Sequence, residues 1–122
     1  MNRRSFRMSF RDAADGLWYC LRTQRNMQVH AAVGALVLVA ALLLRLNFLE
    51  WALVLFAISF VVVAEMFNTA LERTVDLCVS TYHPLARLAK HIAAAAVLVA
   101  ALNSVVVGAL IFLPHLRRLI GG

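Results

Sequence analysis

Three apolar runs, 29–46, 51–71 and 92–113, restrict this chain more than anything else in it. Each comes close to the ~20 residues that a helix needs to cross a hydrocarbon layer. Inside lipid every backbone polar group must be paired within the segment or in a closed barrel, and these runs are continuously apolar where a barrel strand would alternate. The reading is therefore an all-α integral membrane protein with three transmembrane helices. The hydrophobic share of 63% is far above a soluble norm. A length of 122 residues allows one domain, 1–122. The first run is the weakest of the three, because Arg45 has to snorkel from its end.

Before the first span, Phe10, Ala13, Ala14, Leu17, Trp18 and Leu21 recur at helical spacing, with Arg11, Asp12, Asp15 and Arg22 on the other side. This predicts an amphipathic surface helix over 9–25, started by Ser9 and Asp12 and lying flat on the membrane with Trp18 and Tyr19 at the interface. The basic start is followed by FRDAADGL and not by an apolar core, so no secretory signal is expected, and the first span serves for insertion. The second span should continue as a helix past the membrane to Leu77. Pro84 should open the next helix and Pro114 should end it.

Charge gives the orientation. Arg3, Arg4, Arg7, Arg11, Arg22 and Arg25 precede the first span, and Arg73, Arg87 and Lys90 lie between the second and third. Against these nine stand Arg45, Arg117 and Arg118 on the opposite side. The bias puts the N-terminus and the second loop in the cytoplasm and the C-terminus outside. The net charge of +6 is then explained by topology and anionic lipid, and no nucleic-acid partner is expected. Cys20 and Cys78 fall on the cytoplasmic side and read as reduced, unpaired packing residues.

Chemistry concentrates in EMFNTALERTVD, Glu65 to Asp76. Glu65, Asn68, Glu72 and Asp76 share one face of the helix that continues the second span. Glu65 and Asn68 sit at or just inside the membrane boundary, where an ionisable side chain is costly and marks a functional site. A phosphoryl transfer requires a divalent metal held by carboxylates, a cation for the migrating group and a base for the acceptor hydroxyl. Glu65, at the lipid boundary, is placed to deprotonate a lipid hydroxyl; Glu72, farther out, to hold the magnesium of a water-borne nucleotide; Lys90 supplies the cation. No P-loop or kinase Gly-rich loop is present. On these residues alone a lipid kinase and a proton-coupled small transporter both remain open.

The string EMFNTALERTVDL, followed by YHPLARLAK and AAAAVLVAA, resembles the prokaryotic diacylglycerol kinase family, which includes undecaprenol kinases. The likeness extends to FRDAADGL and the Arg-Asn-plus-His element before the first span, so it covers nearly the whole chain. It implies a homotrimer in the bacterial inner membrane, each protomer with a surface helix and three spans, and composite sites between subunits. It implies transfer of the ATP γ-phosphate to a lipid hydroxyl with Mg2+. Position by position, Glu65 resembles the catalytic base, with Asn68 beside it, and Glu72 a magnesium ligand. Asp76 and Lys90 would line the site, Lys90 near the phosphates, with Tyr82, His83 and His91 in the nucleotide-binding region. The Arg-Asn-His element and Pro84 are more similar to undecaprenol kinases than to the glycerolipid enzymes. Three positions depart from the family pattern: Gln24 stands at a metal-holding glutamate, His91 at the aspartate after the lysine, and Ala95 at a glycine. Gln24 can still ligate metal through its amide oxygen but removes a full negative charge. Undecaprenol is the expected acceptor and diacylglycerol the alternative. A catalytically impaired lipid- or partner-binding trimer is the reading from another class. A small multidrug transporter expects four spans with a glutamate in the first, and does not fit.

Overall fold

The computed structural model describes residues 5–121, so Arg3 and Arg4 of the basic start lie outside the described residues. Four helices make up the described chain: α1, Phe6–Thr23; α2, Arg25–Leu43; α3, Phe48–Cys78; and α4, Pro84–Gly121. The last three are long and apolar enough to cross a membrane. α3 packs most extensively on α4, with α2 laid against α3 and α1 touching both α2 and α3.

α1 begins three residues before the predicted start. Ser5, not Ser9, caps it: Ser5 Oγ accepts from the Met8 N–H at 3.3 Å, satisfying one of the donors that a helix start leaves free. The helix stops at Gln24, whose backbone is extended (φ −103°, ψ 114°) and which caps both α1 and α2. The surface segment is therefore 6–23 and not 9–25, and α2 starts four residues ahead of the predicted span. Those first residues are polar, but nothing between Arg25 and Gln28 breaks a helix.

α2 ends at Leu43, ahead of the predicted 46, in a Schellman turn. Arg45 takes the left-handed conformation (φ 55°), and the Leu46 N–H reaches back to the Ala41 carbonyl at 3.3 Å. A non-glycine residue there costs about 1–2 kcal/mol of backbone strain. Burial of Leu46 beside Ala41, Val54 and Ile111, in the core cluster of this end of the bundle, offsets it. α3 opens on a complete capping box: Asn47 Oδ1 accepts from the Glu50 N–H at 2.9 Å, and Glu50 Oε1 accepts from the Asn47 N–H at 3.0 Å.

Pro84 begins α4 as expected, but Pro114 does not end it: the helix runs on to Gly121. A proline inside a helix leaves one carbonyl without its usual donor, a defect that spanning helices tolerate. The adjoining His115 ties this part of α4 to Glu50 of α3, its Nε2 lying 3.0 and 3.1 Å from the two carboxylate oxygens. Glu50 is held below its ordinary carboxylate range, first by the Asn47 backbone N–H and then by His115.

The outward faces of α2, α3 and α4 carry exposed large apolar side chains, among them Leu36, Phe56, Leu102 and Leu110. These belong against lipid or another subunit and not against water.

Candidate active site

Glu65 is only 2% exposed, and its Oε2 has no hydrogen-bond partner among the described residues. One turn on, Asn68 is 8% exposed with its Oδ1 likewise unpaired. Two buried acceptors left open on one helix face is an exception to the rule that buried polar groups are paired. The neighbouring Thr69 is satisfied, donating to the Glu65 carbonyl at 3.0 Å. The facing ionisable group is His30 of α2, whose Nε2 lies 3.8 Å from Glu65 Oε2, too far for a hydrogen bond. In the sequence His30 enters only through the Arg-Asn-plus-His element; its place at the head of the first apolar run, opposite the end of the second, is the signal that pairs it with Glu65.

His30 also stands at one end of a cavity of about 200 Å³ between α2, α3 and α4, whose other walls are apolar apart from Ser104. Gly34 helps to shape it: a Cβ there would lie 3.3 Å from Cγ2 of Ile58, so α2 approaches α3 closely at this level.

α3 continues for more than three turns past Glu65, as the absence of a breaker predicted, and carries Glu72 and Asp76 with it. Glu72 is half-buried and forms no hydrogen bond or ion pair among the described residues. Asp76 accepts from Lys90 of α4 at 2.6 Å. This pair faces a second cleft, of about 290 Å³, lined by Asp76, Tyr82, His83, Arg87, Lys90 and His91. All five residues predicted for the nucleotide region thus border one cleft. Arg87, counted in the sequence only toward topology, borders it too.

Gln24 lies elsewhere, at the α1–α2 break. Its Nε2 donates to Thr23 Oγ1 at 3.2 Å, and no hydrogen bond joins it to Glu72 among the described residues. α1 is tied to α3 by another contact that the sequence did not announce. Arg73 Nε donates to Tyr19 Oη at 2.8 Å, and the guanidinium sits 5.8 Å from the ring centre. The bond to Arg73 lowers the Tyr19 phenol from its ordinary value and raises the already basic Arg73.

No cluster of three His, Cys, Asp or Glu side chains able to hold a metal occurs among the described residues. Magnesium bound with a nucleotide takes only one or two carboxylates, phosphate oxygens and water supplying the rest. The unpaired Glu72 meets that requirement, with Gln24 offering an amide oxygen at most.

Four described helices, three of them long and apolar enough to span, and a buried carboxylate where the second apolar run ends suit a small membrane lipid kinase, and comparison with known proteins establishes that class. The chain belongs to the prokaryotic diacylglycerol kinase family, whose defining pattern matches residues 11–112. It is 45% identical over 111 residues to an undecaprenol kinase of Bacillus subtilis, covering 91% of this chain and 90% of that one. It is 44% identical over 113 residues to a diacylglycerol kinase of Synechocystis, covering 92% of this chain and 65% of the relative. A diacylglycerol kinase of Helicobacter pylori is 40% identical over 62 residues, about half of each chain. The protein is accordingly a phosphotransferase acting on a lipid alcohol.

Proposed function

We propose that the chain transfers the γ-phosphate of ATP to the hydroxyl of undecaprenol at the cytoplasmic face of a bacterial inner membrane. The observation that carries this is Glu65, a buried carboxylate with an open oxygen at the end of a span, where a lipid hydroxyl meets the aqueous side. Undecaprenol is favoured over diacylglycerol because the relative of that name matches almost end to end.

Glu65 accepts the proton of the lipid hydroxyl as the hydroxyl oxygen bonds to the γ-phosphorus, the bond from that phosphorus to the β–γ bridging oxygen breaks and ADP leaves; Asn68, one turn away, offers a polar side chain to the same locus. The burial of Glu65, 2% exposed, keeps water from competing as acceptor. Glu72 would hold magnesium, with Gln24 as a weaker second, and the ion would supply neutralisation of charge on the phosphate oxygens. Asp76, Tyr82, His83, Lys90 and His91 line the cleft for the nucleotide.

The N-terminus and the α3–α4 loop face the cytoplasm and the C-terminus lies outside, following the basic residues. α1 rests on the membrane surface, its Phe6, Phe10, Leu17 and Trp18 uncovered by the rest of the chain. Three copies assemble into a homotrimer. Asn103 supports some assembly: it sits mid-span on α4, exposed and without a side-chain hydrogen bond among the described residues, an arrangement that is costly against lipid but not against another subunit.

The test is phosphate transfer from labelled ATP with magnesium in mixed micelles holding undecaprenol or diacylglycerol. Transfer to undecaprenol in preference is expected. Preference for diacylglycerol would overturn the acceptor, and transfer to neither would favour an impaired, lipid-binding member, a reading to which the missing charge at Gln24 lends weight.

A further inference from the structure

The cleft between the end of α3 and the first turns of α4 has an electrostatic imbalance that its paired residues conceal. Lys90 is bound to Asp76 at 2.6 Å, so the two charges largely cancel. Arg87 lies one turn before Lys90 on α4 and lines the same cleft, exposed. Its side chain has no hydrogen bond, ion pair or stacking partner among the described residues; only its backbone N–H is used, donating to the His83 carbonyl at 3.1 Å. The cleft therefore offers one permanent, uncommitted cation, and it is a guanidinium, whose fork of donors matches phosphate oxygens two at a time.

A second group is oriented to the same purpose. The Leu85 N–H donates to His83 Nδ1 at 3.1 Å, so that nitrogen is the acceptor and Nε2 carries the proton of the neutral ring. Arg87 and His91 are four residues apart on one face of α4, and His83 immediately precedes that helix, its carbonyl accepting from the Arg87 N–H, so the three border the same cleft. A hydrogen-bond donor of fixed tautomer and a free guanidinium thus border the cleft within one helical turn of each other.

We propose that Arg87 is the residue that recognises the polyphosphate chain of a nucleoside triphosphate in this cleft, with His83 Nε2–H as the second donor, while Lys90 is held by Asp76 until the phosphates compete for it. This rests on the reading of the cleft as the nucleotide site and adds to it a residue and a role: affinity for the phosphates resides in Arg87, not in Lys90 alone.

Binding of ATP, measured directly on the purified full chain in micelles by displacement of a fluorescent nucleotide, tests this apart from turnover. Arg87→Gln is expected to weaken ATP binding about tenfold, the size of one lost charge-assisted hydrogen bond, with Arg87→Lys regaining part of it. Thermal unfolding should not change, because Arg87 has no side-chain partner to lose. Wild-type affinity in Arg87→Gln overturns the inference and leaves the kinase reading standing. Arg87-dependent binding without any phosphate transfer supports the inference and overturns the kinase reading. Failure of the wild type to bind ATP overturns both.

Discussion

Glu65→Gln separates chemistry from architecture at this site. Glutamine has the shape of glutamate and keeps the polar character of a side chain that is 2% exposed, but it cannot accept a proton. In the folded chain Glu65 Oε2 has no hydrogen bond to lose, and His30 stands off at 3.8 Å. Exchanging a carboxylate for an amide there also removes the burden of burying a charge, so stability should change by no more than about 1 kcal/mol in either direction. Turnover should respond very differently. Loss of a positioned general base lowers a rate by about 10²–10⁴, or about 3–5 kcal/mol of barrier at 1.36 kcal/mol per decade. The assay pairs labelled-ATP transfer to undecaprenol in mixed micelles with a thermal melt followed by circular dichroism in the same micelles. The expected result is a normal melt, near-normal ATP binding and a turnover reduced at least a hundredfold. Turnover within about threefold of wild type would remove Glu65 as the base, since the lower limit for a general base is about 10². A melt lowered in parallel with activity would instead make Glu65 a packing residue.

Gln24→Glu restores a full charge beside the α1–α2 break and should lower the magnesium concentration giving half-maximal rate; no shift in a magnesium titration would place Gln24 outside the metal's reach. Gly34→Leu forces a side chain into a gap where even a Cβ lies 3.3 Å from Ile58, and should destabilise the α2–α3 contact by about 1–3 kcal/mol, read as a lowered melting temperature in micelles. Glu50 is held below its ordinary value of 4.5 in the folded chain, so its stabilising contribution is complete above that value and is lost as pH falls through the lower, folded value. Melts of the wild type and Glu50→Gln should therefore differ at neutral pH and converge in acid below 4.5; a constant gap across that window would show that the charge of Glu50 is not what matters.

Much of this protein is local, and so was readable from the chain. The length and continuity of the apolar runs dictate spanning helices because lipid offers no partner for backbone groups. The unbroken stretch after Glu65 carries α3 on to Cys78, and Pro84 sets the start of α4 because its missing N–H is harmless in a first turn. The 3.6-residue period alone puts Glu65, Asn68, Glu72 and Asp76 on one face, and the order of residues along the span sets how deep each lies.

What the chain did not disclose depends on contacts between residues distant in sequence. Ser5 and Ser9 are chemically equal caps, and geometry chose Ser5. Pro114 looks like a terminator, yet α4 runs through it, and the next residue, His115, meets Glu50 65 positions earlier in the chain. Arg73 and Tyr19 lie 54 residues apart, and Lys90 and Asp76 lie 14 apart on different helices. The pairing of Lys90 with Asp76 is what leaves Arg87 as the uncommitted cation in its cleft. Sequence determined which groups exist and at what depth they lie, because membrane insertion and helical period act along the chain. Tertiary structure alone decided which charges cancel and which stay free, because that depends on distances across the bundle that no periodicity encodes.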